Sequence, residues 1–252
     1  MKKNISFLSG IQRSGSTLLT KVLNQHPMIF ASNTSPLFDY LFFAVEKLEE
    51  LKRTSSAAHY INSDAILQAS IDGFYAFTDR SHVLDKHRAW ATNYYNVHTQ
   101  VLANPKMIVT LRPVEEVVTS FHTILQKNNT PASIATIYRD FIEEHVPTLI
   151  ESAQYVDNFL VVTYQELTHM PTEAFCKIES YLELPAHKYE FDSIIDMDPE
   201  NDTRWGIKDL HAVRSTISSQ SISPDTVMTS AELKFFKKLT YRIYEAFNVC
   251  AF

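Results

Sequence analysis

Phe7-Leu8-Ser9-Gly10-Ile11-Gln12-Arg13-Ser14-Gly15-Ser16-Thr17-Leu18-Leu19 passes from an apolar strand pattern through a turn of small residues into a helical pattern. Such a turn suits an anion. Backbone N–H groups at a helix start point outward, the helix dipole favours negative charge, and small side chains let a ligand approach the backbone. Arg13 adds a fixed cation, and the hydroxyls of Ser14, Ser16 and Thr17 add donors. The 252 residues include only 4 glycines, and Gly10 and Gly15 both fall in this loop. Two of the chain's few conformationally free residues are therefore spent on one turn. The expected ligand is a nucleotide or a similar phosphate.

Short β-rich runs recur at 5–8, 28–31, 82–84, 107–111 and 158–163. Helical patterns lie between most of them, at 16–25, 38–53, 63–77, 90–103, 114–126, 132–152 and 172–182, with a last amphipathic helix at 231–247. This alternation predicts an α/β fold in a single domain over 1–252, with a central, mostly parallel sheet flanked by helices. Lys106-Met107-Ile108-Val109-Thr110-Leu111 is apolar almost throughout, as expected of a central strand covered on both faces. Ligands gather outside the carboxyl ends of such strands, where Gly10, Lys86 and Arg112 would share one rim. The stretch 185–230 has too few regularly spaced apolar residues for a core of its own. It reads as a lid or nucleotide-closing segment.

A hydrophobic content of 45% supports a sizeable core. The net charge of −6 speaks against broad binding to nucleic acid or anionic membranes while leaving room for a local basic pocket. Cys176 and Cys250 lack metal-type spacing, so no metal site is expected, and a reduced cytoplasmic setting follows as the default. No apolar run approaches the roughly 20 residues of a membrane span. The sequence is compatible with a homo-oligomer. The Gly10-to-Gly15 spacing matches a Walker loop, but Ser16 stands where that motif has its Lys.

After the central strand come Arg112 and Pro113, then Ser120 about two helical turns further on. Arg112 and Ser120 could grip one phosphate from two sides, or Arg112 could pair with Glu115 or Glu116. Together with Gln12-Arg13-Ser14-Gly15-Ser16-Thr17, this Arg-x7-Ser pair resembles the sulfotransferases that use 3′-phosphoadenosine 5′-phosphosulfate (PAPS). The bacterial and tyrosylprotein branches, with Arg in the loop, look most similar, and Thr34-Ser35-Pro36-Leu37 resembles a bacterial branch. The resemblance implies a sulfotransferase-like, P-loop-like fold of the nucleoside-triphosphate-hydrolase type. It implies Arg13, Ser14, Gly15, Ser16 and Thr17 on the 5′-phosphosulfate, and Arg112 and Ser120 on the 3′-phosphate. Val161-Val162-Thr163-Tyr164-Gln165-Glu166-Leu167 is similar to a family strand end whose Tyr packs on adenine, making Tyr164 the match. Lys208 and Arg214, within a segment like the family's late closing loop, are further implied phosphate contacts.

Sulfuryl transfer needs cations at the bridging oxygen. Arg13 is one, and Lys86, which matches a family Lys at the next strand tip, is the other. The reaction needs no metal. A hydroxyl acceptor must also lose a proton, in relatives to a Glu or His. The tyrosylprotein branch places a Glu after its second strand, where this chain has Ser32-Asn33-Thr34-Ser35. Asp39, His82, Asp85 and His87 are the candidates for the base, and His87 is favoured because it adjoins Lys86. The expected activity is transfer of a sulfuryl group from PAPS to a hydroxyl acceptor: peptide tyrosine, phenol, sugar or another small molecule. The alternatives are a small-molecule kinase with a degenerate phosphate loop and an inactive nucleotide-binding module. The aromatic residues between Phe38 and Phe77, such as Tyr40, Phe42, Phe43, Tyr60, Phe74, Tyr75 and Phe77, could line an acceptor cleft, but are expected mainly to pack helices on the sheet.

Overall fold

Side chains alternate across the strands, and the alternation builds two cores. On β1 (Asn4–Gly10) Phe7 joins one apolar cluster and Leu8 the other. On β4 (Met107–Leu111) Met107, Val109 and Leu111 face the first cluster and Ile108 the second. A strand buried on both faces is apolar nearly throughout, as 107–111 is; the one hydroxyl, on Thr110, is satisfied by the Ser9 carbonyl and Ser14. The computed structural model describes residues 2–196, 199–217 and 222–250. Among these residues the sheet has five strands, β2 (Ile29–Thr34), β3 (His82–Lys86) and β5 (Phe159–Thr163) completing it, in the order β2-β3-β1-β4-β5. All pairings are parallel. The molecule is a single α/β domain of the P-loop-like type, and all five carboxyl ends open on one rim.

The helices are α1 (Ser16–Leu23), α2 (Leu37–Thr54), α3 (Ser63–Phe74), α4 (Ala89–Thr92), α5 (Tyr94–Asn96), α6 (Val114–Lys127), α7 (Ile134–Phe141), α8 (His145–Ser152), α9 (Tyr164–His169), α10 (Pro171–Leu182) and α11 (Ser230–Ala246). Three differ from expectation. The helix expected over 132–152 is two helices, α7 and α8, because Pro147 in the first turn of α8 has no N–H and its ring would strike the carbonyl four residues back. The helix expected over 90–103 is split into α4, α5 and a π-turn at Val97–Val101. There the Asn93 side chain donates to the Ala89 carbonyl at 3.0 Å, competing with the backbone ladder. Helix α9 begins at Tyr164, where the sequence reading has a strand end.

The aromatic residues of 40–77 divide. Tyr75 is buried and Phe42 and Phe74 pack on the first core, whereas Tyr40, Phe43, Tyr60 and Phe77 are exposed. Core packing therefore accounts for only part of that set. Among the described residues no helix is long and apolar enough to cross a membrane.

Candidate active site

The rim borders a cleft of about 1130 Å³. It brings together most of the residues singled out in the sequence: Arg13, Gly15, Ser16, Thr17, Lys86, His87, Arg112, Ser120, Tyr164, Lys208 and Arg214 all line it. The geometry starts at the loop. Gly15 takes φ 99° as the N-cap of α1, and no side chain caps that helix, so its first N–H groups face the cleft region without a side-chain partner. Gly10, at φ 141°, lies so close to β4 that an added Cβ would stand 2.4 Å from the Thr110 carbonyl.

Ser14 corrects an expectation. Its hydroxyl is fully buried, donating to the Ile11 carbonyl at 2.6 Å and meeting Thr110 Oγ1 at 2.7 Å. It shapes the loop from beneath, and only its backbone remains near the anion path.

Arg13 and Arg112 lie side by side. Arg112 donates to the Arg13 carbonyl at 3.2 Å and to Glu116 at 3.0 Å, while Arg13 Nε donates to Ser120 Oγ at 3.1 Å. Of the two arrangements open to Arg112, the structure has the pairing with Glu116, and Ser120 binds Arg13 instead. Burial, and secondly Arg112, draws the Arg13 guanidinium below its usual range. Two adjacent, partly desolvated guanidinium groups are poised to gain from an anion between them. The Arg112 guanidinium also sits 3.9 Å above the Tyr164 ring.

Tyr164 is held by a capping box. Thr163 accepts from the Glu166 N–H at 3.1 Å, and the Glu166 carboxylate accepts from the Thr163 N–H at 2.6 Å. The Thr-x-x-Glu pattern in 163–166 was the signal for a helix starting here. Thr163→Ala is expected to lower stability by about 0.5–2 kcal/mol in chemical denaturation. An unchanged midpoint would show that packing alone holds α9.

Lys86 ends β3 almost completely buried. Its ammonium donates to Glu200 Oε1 at 2.7 Å and to Thr17 Oγ1 at 3.3 Å. Burial draws the Lys86 pKa down against the opposing pull of Glu200. For Glu200 burial is the largest influence and acts upward, but Lys86, His211 and the Thr34 N–H together hold the carboxyl below its usual range. Glu200 is the site carboxylate that the sequence reading missed. It arrives on an aperiodic segment far along the chain from any strand tip, with no spacing to announce it. The segment is tied down at two further points: Arg13 donates to the Leu210 carbonyl, and Asn128 holds the backbone of Lys208 at 2.8 and 3.0 Å.

The four expected bases fare unevenly. His82 begins β3, at the end of the sheet opposite the rim. Asp85 is fully buried, accepting from Trp90 Nε1 at 2.7 Å and from the Tyr75 hydroxyl, so it braces the core face of β3. Asp39 is exposed on α2 and is not among the residues described as lining the cleft. His87 lines the cleft, its ring stacked on Phe38 with centroids 4.8 Å apart, and burial lowers its pKa.

Compared with known proteins, residues 6–188 match the description of the sulfotransferase family. The chain belongs to the sulfotransferase family. Among solved structures, it resembles the sulfotransferase domain of the olefin synthase of Synechococcus PCC 7002, at 19% identity and TM-score 0.59, covering 99% of this chain and 97% of that one. It also resembles a sulfotransferase of Alicyclobacillus acidocaldarius, at 14% identity and TM-score 0.57, covering 100% and 98%. A third likeness is to mouse sulfotransferase SULT7A1, solved with PAP, at 14% identity and TM-score 0.54, covering 97% and 84%. At such identities the likeness is one of fold. Curated protein sequences yield no significant match. This member of the sulfotransferase family has a carboxylate, Glu200, drawn over Lys86.

Proposed function

We propose that the protein transfers a sulfuryl group from PAPS to a hydroxyl acceptor, with Arg13, Ser16, Thr17 and the α1 N-terminus on the 5′-phosphosulfate and Arg112 with Ser120 on the 3′-phosphate. The observation that carries this reading is the donor set: Arg13, Lys86, Arg112, Lys208 and Arg214, from four separate segments, line one cleft. Such a cluster fits a ligand with anionic groups at both ends. PAPS supplies an activated sulfuryl group on a phosphate that can leave. Arg13 and Lys86 stabilise charge on that phosphate, Tyr164 offers a ring face to the base, and the segment 185–230 closes over the nucleotide as a lid. Of that segment, 197–198 and 218–221 lie outside the described residues. The free thiols Cys176 and Cys250 are in keeping with a reducing, cytoplasmic setting.

The test is calorimetry with 3′,5′-adenosine bisphosphate and with ATP, followed by transfer from labelled PAPS to phenols, sugars and tyrosine peptides, with and without chelator. Tight bisphosphate binding and chelator-insensitive transfer are expected. Chelator-sensitive ATP turnover would replace this reading with a kinase. Arg112→Ala should weaken bisphosphate binding by about 1–3 kcal/mol, the range for a charge-assisted hydrogen bond. Unchanged affinity would remove Arg112 from the site.

A further inference from the structure

Ser32-Asn33-Thr34-Ser35 at the end of β2 holds no carboxylate, and three of the four acids and bases suggested by sequence sit away from the cleft or inside the core. We propose that His211 Nε2 is the general base that takes the acceptor's proton, with Asp202 positioning the ring. The proposal rests on the sulfuryl-transfer reading above.

Neighbouring carboxylates fix the tautomer of His211. His211 Nδ1 stands 2.5 Å from Asp202 Oδ1 and 3.4 Å from Glu200 Oε2. Carboxylate oxygens at these positions only accept, so Nδ1 bears the hydrogen, and the neutral ring keeps its lone pair on Nε2. Asp202 Oδ2 also accepts from the His211 backbone N–H at 2.8 Å, so one carboxylate grips the residue twice. A base oriented by an acid on its far nitrogen is the arrangement that general-base chemistry needs. His87 has the reverse arrangement. Its Nδ1 accepts from the Ala89 N–H at 3.3 Å, which places the hydrogen of the neutral ring on Nε2.

Position agrees with the tautomer. His211 lines the cleft with its side chain 20% exposed. Glu200 reaches His211 with one oxygen and Lys86 with the other, and Lys86 touches Thr17. An unbroken run of contacts thus joins His211 to the phosphate loop. In the reaction the acceptor O–H gives its proton to Nε2. The acceptor oxygen bonds to sulfur as the bond from sulfur to the phosphate oxygen of PAPS breaks, and that electron pair stays on the phosphate beside Arg13 and Lys86. The imidazolium left facing Asp202 returns its proton to water.

Two measurements test this. Long-range proton–nitrogen NMR of the nucleotide-free protein, with His211→Asn to assign the ring, should show hydrogen on Nδ1; hydrogen on Nε2 overturns the proposal. His211→Asn keeps a donor for Asp202 but lacks the base. It should retain bisphosphate affinity, lose about 10²-fold or more in transfer to weakly acidic alcohols, and lose far less with acidic phenols that are already ionised. Asp202→Asn should follow the same pattern more mildly. A loss equal for all acceptors, or no loss, overturns the base role while leaving the sulfotransferase reading intact. Failure of the wild type to bind bisphosphate or to transfer would instead sink the reading beneath it.

Discussion

Lys86→Ala is expected to lower sulfuryl transfer by about 10²- to 10³-fold while changing ground-state PAPS affinity little, the range seen when one preorganised donor to a developing charge is lost. The ammonium sits at the tip of β3 against Thr17, on the side of the loop where the transferred group would lie. It is a compact, buried point charge. An incoming phosphosulfate competes with Glu200 for it, so part of what Lys86 gives the ground state is already spent on that carboxylate. In the proposed reaction its remaining effect would fall on the departing phosphate, whose charge grows only as the bond breaks.

The same substitution costs stability. Glu200 would stay largely buried with its Lys partner gone, and breaking a buried pair costs roughly 3–5 kcal/mol where the survivor cannot escape. Glu200 rides on a loop segment and can turn outward, so the lower end of that range is expected. Lys86→Ala combined with Glu200→Ala should therefore regain most of the melting temperature without regaining transfer. Equal losses in affinity and turnover for Lys86→Ala would assign the residue to binding alone.

Sequence patterns reached the sheet because each strand is a short apolar run between helical periods, and the run 107–111 coincides with β4. The rim followed from topology. Gly10, Lys86 and Arg112 end or follow β1, β3 and β4, neighbours in the sheet, so parallel pairing had to bring them together. What the patterns could not supply was rotamer and direction. Ser14 looks like its neighbours Ser16 and Thr17 in the sequence, yet it points into the fold towards Thr110. Asp85 and Lys86 are adjacent, and strand alternation sends the carboxylate to Tyr75 and Trp90 while the ammonium reaches the loop. Glu200, Asp202 and His211 lie on a segment without periodicity, positioned by contacts to Lys86, Arg13 and Asn128. Their convergence is a tertiary fact.

Gly15→Ala should damage nucleotide binding and stability together. At φ 99° an L residue is strained whatever the space, at a cost of about 1–2 kcal/mol. Space is also missing: the new Cβ would lie 2.8 Å from Tyr164 Cδ2 and 3.2 Å from Leu167 Cδ1. Overpacking of this kind costs about 1–3 kcal/mol. Relief can come only by tilting the loop or pushing back the ring, and the Arg112 guanidinium rests 3.9 Å above that ring. One methyl group thereby disturbs the α1 N-terminus, the ring expected to meet adenine, and the cation expected to meet the 3′-phosphate. Bisphosphate affinity should fall by about two orders of magnitude, consistent with losing about 3 kcal/mol, together with a lower melting temperature. Adding Tyr164→Ala removes the steric conflict but leaves the backbone strain. The double variant should therefore recover part of the stability and none of the binding. Recovery of both would show that the left-handed backbone plays no part in holding the anion, and would also remove Tyr164 from the nucleotide site.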